Sequence, residues 1–64
     1  MNLSPDYLIR LLETNGFVFK RAKSSHQVFY NPISNKTIVV PLHNGKDLEK
    51  GTFMSIVKQA GIEL

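Results

Sequence analysis

Within seven consecutive positions, Lys20-Arg21-Ala22-Lys23-Ser24-Ser25-His26, the chain places three of its eight basic residues, two hydroxyls and an imidazole. It then turns apolar and β-prone through Gln27-Val28-Phe29-Tyr30. Histidine titrates near neutrality, so one imidazole can give or take a proton at cellular pH. Cations beside it can steady the charge of a phosphate. RNA cleavage needs this chemistry: a base deprotonates the ribose 2′-hydroxyl, the oxygen attacks phosphorus, and an acid protonates the departing 5′-oxygen. On this reading His26 carries the proton, while Lys20, Arg21, Lys23, Ser24 and Ser25 hold phosphate. Taken alone, a single histidine is more often a surface group without a task, and paired serines are more often turn residues.

His43, in Pro41-Leu42-His43-Asn44-Gly45-Lys46, is a possible second site residue. It could complete a two-histidine acid/base pair, although a loop histidine bonded to backbone is the commoner case. Neither histidine has an Asp or Glu at metal-ligand spacing, so no metal or other cofactor is expected. No carboxylate stands beside His26 to orient it for a serine nucleophile, which argues against a triad. Lys46 and Lys50, near the start of the second expected helix, form a lesser anion site, because free N–H groups at a helix start attract phosphate.

These residues need a scaffold. Ser4-Pro5-Asp6 signals a helix start by a hydroxyl cap, a proline at the first helical position and an acid at the positive dipole end. Leu8, Leu11 and Leu12 give the apolar stripe, and Asn15-Gly16 closes it. Phe17–Phe19 reads as strand one, Arg21–Ser25 as a polar connection, and His26–Tyr30 as strand two. Asn31–Asn35 has turn chemistry, and Lys36–Val40 is a β-branched third strand ended by Pro41. Leu42–Glu49 reads as loop, with a turn at Asn44-Gly45. A second helix spans Lys50–Ala60, with Phe53, Ile56, Val57 and Ala60 on one stripe and Gly61 as terminator. The expected fold is α+β in the order α-β-β-β-α: a three-stranded antiparallel sheet with two helices on one face. Phe17, Phe19, Phe29, Tyr30 and Phe53 are assigned to the core. Strand two is apolar on both faces, so parity alone leaves His26 on either side of the sheet.

The bulk numbers fit one domain, residues 1–64. A chain this short buries only about 60% of its unfolded surface. It lacks cysteine, which excludes disulfides and thiolate metal sites and favours a reducing cytoplasm. The start has neither the basic nor the apolar region of a signal peptide, and Ile38-Val39-Val40 is far too short to span a membrane. A net charge of +3 favours a polyanionic partner.

Four segments, in order, resemble the HicA-type toxins of bacterial toxin–antitoxin pairs. Gly16-Phe17 follows the first helix. Arg21 precedes Ser24-Ser25-His26, with Phe29 and Tyr30 beyond. Val40-Pro41-Leu42-His43 matches a Val-Pro-x-His segment. Gly51-Thr52 opens a helix that runs through Ile56-Val57-Lys58-Gln59-Ala60-Gly61-Ile62. The family has glycine where this chain has Ser24. The resemblance implies a double-stranded-RNA-binding-like fold and a metal-independent ribonuclease that cleaves mRNA. It implies that His26 is the catalytic histidine and that a HicB-like antitoxin masks the site. A non-catalytic double-stranded-RNA-binding module is the alternative, distinguished by binding without cleavage.

Overall fold

Ser4 accepts a hydrogen bond from the Tyr7 amide (3.2 Å) through its hydroxyl, and Pro5 opens helix α1, Pro5–Thr14. A computed structural model describes residues 1–64. Leu8 and Leu12 of α1 are fully buried, while Arg10 and Glu13 face water. Gly16, at φ 92°, takes the chain out of the helix toward the sheet.

Three strands follow: β1 (Val18–Lys23), β2 (His26–Asn31) and β3 (Lys36–Pro41). They form one antiparallel sheet with β2 in the centre. Helix α2 spans Lys50–Ala60 and ends on Gly61, whose φ of 73° gives the left-handed cap. The α-β-β-β-α order and the antiparallel sheet are as the sequence implies.

Both helices contribute to a single core. Leu8 and Leu12 meet Phe29, Ile38 and Val40 of the sheet and Phe53, Ile56 and Val57 of α2. Phe29 pairs with Ile38 across the β2–β3 ladder, and Gln27 with Val40. The core face of β2 therefore carries Gln27, Phe29 and Asn31, because alternate residues share a face. Tyr7 and Phe53 stack at 6.0 Å between centroids, joining α1 to α2. The Leu48 amide donates to the Leu3 carbonyl (2.8 Å), tying the segment before α2 to the residues before α1.

Strand one departs from the sequence reading. Phe17 precedes the strand and belongs to the core, and Arg21–Lys23 is strand rather than connection. The link between β1 and β2 is only Ser24-Ser25. No residue of β1 is buried. An edge strand wet on both faces lacks the alternation by which a strand is recognised. Phe19 is likewise not core: it is 53% exposed, with its ring edge-on to Phe29 at 5.8 Å. Tyr30 is half-buried and lies on the face opposite Phe29.

The β2–β3 turn is held by Asn31. Its Oδ1 accepts from the amides of Ile33 (2.9 Å) and Ser34 (3.2 Å), and its Nδ2 donates to the Asn15 carbonyl (3.3 Å). This buried amide fixes the turn and fastens it to the end of α1.

Candidate functional site

Strand register settles which face His26 joins. It shares parity with Val28 and Tyr30, opposite to Phe29, and so lies on the sheet face away from both helices. Val28 is buried yet stands outside the main core, as expected for the middle of this open face. His26 itself is exposed at the start of β2.

The cations reach the same face through an irregularity. Val18 pairs with Tyr30 and Phe19 with Phe29, but Arg21 pairs with Val28, leaving Lys20 as an extra residue in β1. A bulge of this kind shifts the side-chain alternation by one. Counted from Val18, Lys20 falls on the open face. Counted back from Lys23, which pairs with His26, Arg21 falls there too. An unbroken strand in the register of Val18 would turn Arg21 and Lys23 toward the helix side. With the bulge, all three cations share the face of His26.

Their distances from His26 differ. Lys23 is the directly opposed cross-strand neighbour. Arg21, opposite Val28, is a diagonal neighbour, within reach of a long side chain. Lys20 lies farther off, its ammonium 5.3 Å from the centre of the Tyr30 ring. Tyr30 in turn donates its hydroxyl proton to Asn35 Oδ1 (2.7 Å). Lys20 thus shares the face of His26 but lies toward Tyr30, beyond Arg21 and Lys23.

Ser24 and Ser25 make the tight turn that delivers His26. Ser24 has φ 53°, in the left-handed region that glycine adopts freely. The departure from the family's glycine therefore falls at a position where the turn itself asks for one. The Ser25 carbonyl accepts from the Leu42 amide (2.6 Å), carrying the β2–β3 ladder one step past Pro41.

That bond holds the residue before the second histidine alongside β2. His43 lines a cleft of about 310 Å³ with Pro41, Lys46, Asp47, Glu49 and Thr52. Lys46 thus belongs with His43, whereas Lys50, the first residue of α2, is exposed and is not part of this cleft wall. No three His, Asp or Glu side chains gather to hold a metal ion.

The fold and this face define a small α+β domain that presents a histidine among cations on an open antiparallel sheet. Residues 6–62 match the family model described as the HicA toxin of bacterial toxin–antitoxin systems, and the chain belongs to that family. Its members act as toxins, and membership implies an antitoxin partner. A comparison with curated proteins finds no match. No helix is long and apolar enough to cross a membrane.

Proposed function

We propose that this toxin is a metal-independent endoribonuclease that cleaves mRNA in the cytoplasm, with His26 transferring a proton to or from the reacting oxygens. The observation that carries the reading is the register of β1 on β2, which sets Lys23 opposite His26 and Arg21 opposite Val28 on one open face. A phosphodiester lying across that face would meet Lys23 directly and Arg21 diagonally, with the imidazole at the strand start. The 2′-hydroxyl would attack its own phosphorus to give a 2′,3′-cyclic phosphate and a free 5′-hydroxyl. Cations that meet the extra negative charge of the transition state contribute without moving protons. Lys20, Lys46 and Lys50 would hold flanking phosphates, and the exposed hydroxyls of Ser24 and Ser25 lie at the rim. The HicB-like antitoxin would act by covering this face.

The test is cleavage of a long single-stranded RNA by the purified chain in EDTA, beside His26→Ala. The wild type is expected to cut and the variant to lose about 10²- to 10⁴-fold in rate. Because His26 is exposed and no hydrogen bond holds its ring, the variant should unfold within about 0.5 kcal/mol of the parent. Equal cutting by both chains would remove His26 from the mechanism. Binding of RNA with no cutting by either would favour the non-catalytic module.

A further inference from the structure

We infer that the antitoxin docks on the free edge of β3, adding an extended segment to the sheet as a fourth strand; this rests on the toxin–antitoxin reading and concerns where the partner binds. The backbone groups along that edge are unpaired. The Leu42 amide donates to the Ser25 carbonyl, one step beyond the pairing of Pro41 with His26. In an antiparallel ladder such a bond makes Pro41 and His26 a pair without mutual hydrogen bonds, and pairs of that kind alternate with bonded ones. The register runs without a break from Pro41 opposite His26 to Lys36 opposite Asn31. Pro41, Val39 and Thr37 therefore all turn their backbone groups away from β2. Pro41 agrees with this, since a proline in an edge strand has its missing N–H on the open side. Thr37 and Val39 each offer an N–H and a C=O to that side, and Pro41 offers a C=O. No turn, loop or side-chain hydrogen bond uses them.

The two edges of the sheet are built differently. β1 carries a bulge and the cations Lys20, Arg21 and Lys23, devices that keep an edge from pairing with another chain. β3 is regular and β-branched, and Lys36 is its single charge. A groove of about 440 Å³ follows this open edge, with Thr37, Val39 and Pro41 on one side and Gly51, Thr52 and Ser55 of α2 on the other. A Cβ on Gly51 would meet nothing within 4 Å, so the helix leaves room for an added strand. No charged residue lines the groove, so an RNA phosphate finds no cation there. A second copy of the chain would set +3 against +3, and like net charges oppose association. The partner that family membership supplies is the antitoxin. The segment that fits is an extended strand with an acidic residue beside Lys36, an opposite-charge pair across the new ladder. Such a strand would continue the open face past Pro41, the cross-strand neighbour of His26. With strands about 4.8 Å apart, it would stand about 10 Å from β2 and wall the RNA face on that side.

Amide hydrogen exchange tests the docking site on the unaltered chain. Free in solution, Thr37 and Val39 are expected to exchange fast, and Ile38 and Val40, whose amides face β2, slowly. With the HicB-like antitoxin encoded beside the toxin, Thr37 and Val39 are expected to slow by at least about tenfold. Ser55→Tyr fills the groove from an exposed helix position and is expected to weaken antitoxin binding by at least about tenfold. Met54→Tyr, at a position that lines a separate groove, is expected to change it by less than about threefold. A complex in which Thr37 and Val39 exchange as in the free chain, or in which Ser55→Tyr binds normally, would overturn docking at this edge and leave the antitoxin partnership intact. Protection of the two amides in the toxin alone, growing with its concentration, would give the edge to a second copy and overturn the inference. A wild-type chain that the antitoxin does not bind would overturn the partnership and the inference with it.

Discussion

Ser24 is where a single side chain most visibly works against its own backbone. Its φ of 53° costs a non-glycine residue about 1–2 kcal/mol. Glycine would remove that strain but add about 0.5–1 kcal/mol of chain entropy in the unfolded state. The balance favours Ser24→Gly by about 0.5–1 kcal/mol. For a domain of this size that corresponds to a rise of about 2–8 °C in the melting temperature. A calorimetric scan checks it, and a lower melting temperature would mean that Ser24 is held by something its geometry does not disclose. Asn31 is the opposite case, a side chain whose bonds match its place. Its amide serves three backbone partners on two segments, and Asn31→Ala leaves them unpaired beside the core. The expected cost is about 1–3 kcal/mol, read by urea denaturation.

At the scale of the element, the register of β1 on β2 decides which side chains reach His26, and the extra residue adds one more cation to the same face. Lys20 is that residue, since Phe19 and Arg21 already occupy successive places opposite Phe29 and Val28. Deleting Lys20 should close the bulge and leave Arg21 and Lys23 where they are. The shortened chain is therefore expected to lose only an outlying phosphate contact and to keep most of its activity, whereas Arg21→Ala should fall at least about tenfold. Comparing the two rates checks this, and a deletion as damaging as Arg21→Ala would show that the bulge is needed to hold Arg21 and Lys23 beside His26. The same strand marks the limit of what the sequence discloses. Ser4-Pro5 and Gly61 declare the helix ends through caps, and Lys36–Val40 declares itself through β-branched residues. Lys20-Arg21-Ala22-Lys23 declares nothing, because a strand that buries no side chain has no pattern to show. His26 could be singled out by residue type and by its resemblance to a known family. Its face could not, since β2 is apolar on both sides and the choice depends on α1 and α2 packing against Phe29.

Taken whole, the molecule separates its work by layer. The helices and the inner sheet face hold the core, and the outer face carries Arg21, Lys23 and His26, with Lys20 toward Tyr30 and Lys46 beside His43. Counterion release then links this charge arrangement to salt. Each phosphate neutralised on a single strand contributes about −0.7 to the slope of log affinity against log salt. Arg21 and Lys23, with Lys20, Lys46 and Lys50 as flanking contacts, give an expected slope of roughly −2 to −3.5 for single-stranded RNA. Binding to an uncleavable RNA, measured with His26→Ala between low and physiological salt, checks it. Lys23→Gln should make the slope shallower by about 0.7, because that side chain lies opposite His26, where the proposed phosphodiester would sit. Lys58→Gln, in the last turn of α2 and remote from the open face, should leave it unchanged. An equal effect from both substitutions would show that RNA is attracted by the net charge of the domain and not held by the face that carries His26.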